Sequence, residues 1–195
     1  MSETGVKEVI DMERNLMIAG FGGQGVMTIG KLLAQATCDS TDLNVTFFPS
    51  YGAAMRGGTA NCYVVISDES IGAPSSTSVD DLIVMNEPSL DAFLGNLKEK
   101  GVLFINSTIV KKKIERNDIE LVEVPVTEMA LDMGDPRVLN VIMLGAYIGY
   151  TNVVPTSVIL EGLHHKFEKK PDAIKLNDDA FQRGYDIGKK ARESK

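Results

Sequence analysis

The chain of 195 residues carries a formal net charge of −7, with 44% apolar and 24% charged residues. This length and composition predict one globular domain over residues 1–195 and exclude global disorder. The acidic balance argues against nucleic acid as a general partner, because such a partner requires a basic surface to displace phosphate counterions. It leaves room for a local basic pocket that holds a small anion.

Cysteine usage and hydropathy predict the cellular compartment of the protein. Cys38 and Cys62 belong to no cluster, which excludes a disulfide framework and a zinc or iron–sulfur site built from this chain alone. No apolar run reaches the roughly 18 residues that a membrane span requires. Residues 1–13 contain acids and lack a signal-peptide core, so they are interpreted as a leader extension. The expected location is the cytoplasm.

Short apolar runs alternate with segments of helical periodicity along the chain. Six strands are predicted, at 15–19, 45–48 (stopped by Pro49), 61–67, 81–85, 101–106 and 120–124. Helices are predicted at 26–38, at 89–100 with Ser89 as N-cap, in a short segment capped by Thr127 and bounded by Pro136, and at 138–150, 155–166 and 178–192. The last of these lies in a C-terminal helical extension, 171–195.

This alternation predicts the α/β class. Strands separated by helices indicate a sheet covered on both faces, a three-layer α/β/α arrangement. The second and third strands are joined by a glycine-rich connection too short for a crossover helix, so the sheet should be mixed and mostly parallel. The expected fold is Rossmann-like without being a standard NAD-binding fold.

A glycine-rich loop follows the first predicted strand. Gly20, Gly22 and Gly25 fit the pattern G-x-G-x-x-G between a strand and a helix. Such a loop brings the backbone close to a ligand and aims the free N–H groups of the helix at an anion. Gln24 is expected to present a polar side chain there. The alternative is a tight strand–helix turn whose glycines serve packing alone.

Two features of the sequence argue against a nucleotide enzyme. A Rossmann domain places an acid after its second strand to bind the ribose hydroxyls, whereas here that strand ends in residues 48–51, Phe-Pro-Ser-Tyr. No Gly-Lys-Ser/Thr follows the glycine loop, so a P-loop is absent as well. Binding of NAD and hydrolysis of nucleotides are both disfavoured.

A second loop, at residues 51–59 (YGAAMRGGT), connects the second and third strands. An arginine flanked by glycines offers a rigid fork of donors beside exposed backbone N–H groups, which suits phosphate or carboxylate. Tyr51 adds an aromatic face and a hydroxyl. The alternative is a surface turn whose arginine pairs with a nearby acid. Two such loops in one domain favour a shared anion site.

These two loops, with Asn140-x-x-x-Leu144-Gly145-Ala146 in a late apolar helix, resemble the gamma subunits of 2-oxoacid:ferredoxin oxidoreductases. The resemblance covers about residues 15–170, and the form of the second loop is most similar to the 2-oxoglutarate branch. It implies binding roles for nine residues: Gly22, Gly23, Gln24, Gly25, Tyr51, Arg56, Gly57, Gly58 and Asn140.

The resemblance also implies an enzyme complex. It would decarboxylate 2-oxoglutarate oxidatively, form succinyl-CoA from coenzyme A and pass electrons to ferredoxin. Thiamine diphosphate, Mg²⁺ and iron–sulfur clusters would belong to the alpha, beta and ferredoxin-like delta subunits. This chain would bind no cofactor alone, would line the coenzyme A channel, and would be inactive in isolation. It could form a homodimer through the apolar helix 138–150 if that helix is not core.

Other interpretations stay open. The substrate could be pyruvate or a branched-chain 2-oxoacid. The chain could instead be a freestanding dinucleotide-binding oxidoreductase, or a purely structural assembly subunit whose loops touch protein alone.

Overall fold

A computed structural model describes residues 12–51 and 59–195, the side chains of Tyr51 and Thr59 excepted. The described strands form one six-stranded sheet in the order β2-β3-β1-β4-β5-β6. The strands are β1 (Glu13–Phe21), β2 (Asn44–Tyr51), β3 (Thr59–Ser67), β4 (Val79–Val84), β5 (Leu97–Asn106) and β6 (Glu120–Val124).

The sheet is mixed, as the sequence predicts. β1 pairs in parallel with β4, β4 with β5, and β5 with β6. β3 lies antiparallel to both β1 and β2. The connection between β2 and β3 covers only seven residues, and a connection this short can join only antiparallel strands.

Six α-helices are present in the described residues. They are α1 (Val26–Ser40), α2 (Glu87–Phe93), α3 (Val126–Asp132), α4 (Leu139–Thr151), α5 (Thr156–Phe167) and α6 (Pro171–Glu193). The main core packs one sheet face against α1, α4, α5 and α6. A smaller core on the opposite face includes Leu90 of α2 and Val110. No helix in the described ranges is long and apolar enough to cross a membrane.

Some predicted boundaries are wrong, and edge position explains one of them. β2 does not stop at Pro49 but runs through it to Tyr51. β2 lies at the edge of the sheet and has a neighbouring strand on one side. Proline, which lacks a backbone N–H, is therefore tolerated there, because no strand on the other side requires that donor.

The predicted helix 89–100 is also wrong. Asn86 is the N-cap, accepting a hydrogen bond from the Ser89 backbone N–H, and α2 ends at Phe93. β5 begins at Leu97, four residues before the predicted strand. Likewise Thr127 does not cap α3, since it lies inside that helix and accepts a hydrogen bond from the Asn106 side chain.

Helix α4 is core rather than a free surface. Its residues from Asn140 to Tyr150 are all buried, so the condition under which this helix was expected to form a homodimer surface is not met. It packs against α6 through glycines: a methyl group at Gly184 would overlap the Ile142 carbonyl oxygen, and one at Gly145 would overlap the Phe181 carbonyl oxygen. The two backbones touch because no Cβ separates them.

Candidate functional site

The order of the strands reverses between the two central strands, β1 and β4. The chain leaves β1 through α1 toward β2, and leaves β4 through α2 toward β5. The two helices lie on opposite faces, with Ile29 of α1 in the main core and Leu90 of α2 in the smaller one. In open α/β sheets the crevice at such a point, outside the carboxyl ends of the strands, is where ligands bind. The glycine loop lies there.

The glycine loop turns tightly into α1. The Gln24 backbone N–H donates to the Phe21 carbonyl at 3.1 Å. Gly25 is the N-cap of α1 with φ of +74°, and Gly23 has φ of +99°, a region that side chains with a Cβ rarely adopt. Because α1 has neither a side-chain cap nor an acid in its first turn, its N-terminus keeps a positive field toward the crevice.

The side chain of Gln24 is bound within the protein. Its Oε1 accepts hydrogen bonds from the Phe21 backbone N–H at 2.7 Å and from Asn86 Nδ2 at 2.8 Å. Its Nε2 donates to the Met85 carbonyl at 3.0 Å. Gln24 therefore ties the end of β1 to the end of β4 across the crevice. A direct contact between Gln24 and a ligand stays a prediction.

Asn140 contacts the glycine loop from 115 residues further along the chain. Its Nδ2 donates to the Gly25 carbonyl at 3.4 Å, and its Oδ1 accepts from the Val141 backbone N–H at 2.8 Å. A Cβ at position 25 would collide with this amide. The structure thus brings Gly25 and Asn140 together and fixes the start of α4 beside the start of α1.

Gly22 is different from the other loop glycines. It is exposed, its φ lies outside the positive range, and a Cβ added there would meet no atom within 4 Å. Neither backbone conformation nor packing within the described residues requires glycine at this position.

The second loop leaves the sheet beside the first. Ala60 pairs with Gly20 on one side and with Tyr51 on the other, and Thr59 pairs with Phe21. The residues that flank the second loop therefore lie at the same end of the sheet as the glycine loop. Arg56, Gly57 and Gly58 lie outside the described residues, and their binding roles, like that of Tyr51, stay predictions.

A cleft of about 470 Å³ opens next to the glycine loop. Its walls are the glycine loop, the start of α4, and the turn between α5 and α6. Three cationic residues line it: Arg137 just before α4, Lys166 near the end of α5, and Lys170 just before α6. Asp135 binds Arg137 through two side-chain hydrogen bonds to Nε and one to Nη2. The Arg137 guanidinium, and then its backbone N–H, lower the pKa of Asp135 to about 2. The cleft is thus predominantly cationic in an acidic protein.

Sequence reasoning missed Asn86 and the cations of the cleft. Asn86 is followed by Glu87 and Pro88, and asparagine ahead of an acid and a proline is a helix-start signal that could have identified it. Arg137, Lys166 and Lys170 carry no such signal, because only the packing of α4, α5 and α6 assembles them.

Comparison with known proteins decides the family. The family model described as pyruvate ferredoxin/flavodoxin oxidoreductase matches residues 15–187. The chain belongs to this family. The resemblance to gamma subunits of 2-oxoacid:ferredoxin oxidoreductases is thereby confirmed. The α/β fold is confirmed by the crystal structure of the keto/oxoacid ferredoxin oxidoreductase gamma subunit from Geobacter sulfurreducens, which superposes with a TM-score of 0.80. The two proteins are 28% identical, and the superposition covers 92% of this chain and 98% of that one.

Two curated relatives of the family differ in substrate name. The ketoisovalerate oxidoreductase subunit VorA of Methanothermobacter marburgensis is 36% identical over 93% of this chain, which spans 38% of that protein's length. The 2-oxoglutarate synthase subunit KorC of Methanocaldococcus jannaschii is 30% identical over 94% of this chain and 98% of its own length. Similarity to the family therefore leaves the 2-oxoacid open.

The chemistry that the site offers is binding. Among residues 12–51 and 59–195, no three His, Cys, Asp or Glu side chains come together as a metal-ligand set. The donors that do converge are backbone N–H groups, amides and cations, which suit an anion.

Proposed function

We propose that this chain is the gamma subunit of a coenzyme A-dependent 2-oxoacid:ferredoxin oxidoreductase. The observation that carries the proposal is the uncapped N-terminus of α1 behind the glycine loop, next to the strand end from which the loop containing Arg56 begins. At Gly22, where an added Cβ would meet no described atom, the backbone leaves room for a partner subunit or the phosphates of coenzyme A. Thiamine diphosphate, Mg²⁺ and iron–sulfur clusters would reside in the alpha, beta and delta subunits and supply the decarboxylation and electron transfer.

The part of this chain in the reaction is to bind and position. The uncapped N-terminus of α1 lies at one end of the sheet, and the two strands that the loop containing Arg56 connects reach that same end. Together they would neutralise phosphate charge and keep the coenzyme A thiol directed toward the partner subunit that holds the acyl group. The isolated chain would then have no oxidoreductase activity.

The proposal is tested in the complex reconstituted with its partner subunits. Gly22→Ala and Arg56→Ala should raise the KM for coenzyme A at least about tenfold, about 1.4 kcal/mol, without loss of assembly. Gly72→Ala is the matched control, because a Cβ at that exposed position also meets nothing. Unchanged KM values together with unchanged assembly would contradict the proposal. Loss of assembly at unchanged KM would instead favour a purely structural subunit.

We propose 2-oxoglutarate as the first substrate to test. KorC is matched from end to end by a chain of this size, and the second loop is most similar to that branch. The higher identity to VorA supports a branched-chain 2-oxoacid as the second candidate. The ratio of kcat/KM for 2-oxoglutarate and 2-oxoisovalerate, measured in the same complex, decides between them, and a larger value for 2-oxoisovalerate would overturn the first choice.

A further inference from the structure

A groove between α1 and α5 adjoins the cleft beside the glycine loop, and Thr28, Leu32 and Lys166 line both. Its volume is about 560 Å³, within the range of pockets that hold small organic ligands. The floor is apolar and includes Met27, Leu32 and Ala36, and the rim carries Lys31, His165 and Lys166. The groove thus combines an apolar surface with a cluster of cations.

The two helices run antiparallel along this groove. Gly162 of α5 packs beside Ala36 of α1, where an added Cβ would lie 2.8 Å from that of Ala36. One turn further along α5, Lys166 reaches the level of Thr28, and both residues line the groove and the adjoining cleft. The cations therefore gather at the end nearer the glycine loop, while Asp39 lies toward the other end.

The fold brings Lys31 and Lys166 to the same groove. In the salt bridges of the described residues, neither lysine pairs with a carboxylate. The Lys166 Nζ lies 5.7 Å from the centroid of the Phe167 ring. Burial, and then the charge of Lys31, lowers the pKa of Lys166. An anion bound between the two ammonium groups would offset their repulsion.

From the groove, its apolar floor and its paired lysines, we propose a second binding site, for an organic phosphate. Lysine acts on phosphate as a point charge, so Lys31 and Lys166 would hold the phosphoryl group with Thr28 as a further donor. The apolar floor would contact the organic part of the ligand. Asp39 and Gln35 at the far end would accept or donate hydrogen bonds to its polar substituents.

The test uses the full 195-residue chain with three probes: adenosine 5′-monophosphate, inorganic phosphate and adenosine. Calorimetry or NMR titration should show saturable binding of the monophosphate. Lys31→Gln and Lys166→Gln should each weaken it at least tenfold, whereas Lys190→Gln, an exposed lysine on α6 remote from the groove, should leave it unchanged. Glutamine retains much of the aliphatic stem, and circular dichroism verifies that each variant is folded.

The probes also identify the source of the phosphoryl group. Monophosphate that binds more tightly than inorganic phosphate supports an organic ligand that uses the floor. Equal affinities support the phosphoryl site but overturn the organic part of the proposal. Absence of saturable binding, affinities unaffected by both lysine variants, or adenosine that binds as tightly as its monophosphate would overturn the site itself. Lys166 lines both cavities, whereas Lys31 lines the groove and not the cleft. Because none of these results depends on the coenzyme A kinetics of the complex, the Lys31→Gln result separates the failure of this proposal from the failure of the proposed function.

Discussion

The carboxamides of Gln24 and Asn86 meet at 2.8 Å across the crevice between β1 and β4. Asn86 at the same time accepts from the Ser89 N–H as N-cap of α2. One hydrogen bond therefore connects the glycine loop before α1 with the start of the helix on the opposite sheet face. The loop is held in place from both sides of the sheet.

Gln24→Ala should destabilise the protein by about 2–3 kcal/mol, because it removes three hydrogen bonds and leaves polar groups at the crevice without partners. The measurement is the free energy of unfolding in urea. Gln182→Ala is the control, since that side chain is exposed and bonds only to Asp186 one turn away. Equal stability of the two variants would show that the Gln24 network contributes nothing measurable.

Gly184→Ala should cost about 3 kcal/mol or prevent folding, because its methyl group would overlap the Ile142 carbonyl and force α6 away from α4. Gly95→Ala, where a Cβ meets open space, should change the free energy of unfolding by less than about 0.5 kcal/mol. Thermal unfolding followed by circular dichroism compares the two. A Gly184→Ala variant as stable as the control would disprove the close approach of the helices.

Arg14→Gln should destabilise the protein by about 3–5 kcal/mol. Arg14 pairs with Asp81 through two hydrogen bonds, one of 2.8 Å between Nη2 and Oδ1, and Asp81 is fully buried. Tyr147 donates to the same carboxylate at 3.1 Å. Removal of the guanidinium leaves a buried carboxylate with too few partners.

The control for this pair is Lys98→Gln. Lys98 binds Asp80 at 2.6 Å on the surface, where an ion pair contributes about 0–1 kcal/mol. If Arg14→Gln is no worse than Lys98→Gln in urea denaturation, the buried pair is not what stabilises this end of the sheet.

At pH 8, iodoacetamide should modify one thiol per folded chain. Cys38 is exposed and Cys62 is buried, and burial raises the pKa of Cys62 to about 12, so almost none of it is thiolate. Both thiols should react in guanidinium chloride, as mass spectrometry would count. Rapid modification of Cys62 in the folded chain would contradict its burial.

The same shift fixes a pH dependence. An unfolded cysteine loses its proton near pH 9, whereas folded Cys62 keeps it until about pH 12. The unfolded state therefore binds fewer protons in this window, and the free energy of unfolding should fall as the pH rises through it. Cys62→Ala should remove this contribution. Denaturation measured at several pH values should then show a free energy of unfolding that depends less on pH between about pH 9 and pH 12.

The local pattern of the chain by itself determined the α/β class, the mixed sheet and the glycine turn before α1. Those features depend on hydrophobic periodicity, on the shortness of the connection between β2 and β3, and on glycines at fixed spacing. The repeated G-x-x-x-G at residues 145–149 and 184–188 could have predicted the close contact of α4 with α6, since both stretches lack a Cβ at helical spacing.

Tertiary structure alone decided the rest. The sequence could not place β2 at the sheet edge, where Pro49 is tolerated, nor show that Gln24 turns inward to Asn86, because that bond depends on which strand becomes the neighbour of β1. Nor could it bring Arg137 and Lys166 to one cleft, or Lys31 and Lys166 to one groove. Local propensity acts over a few residues, whereas the hydrogen bond between Gln24 and Asn86 joins residues 62 positions apart and depends on how separate elements pack.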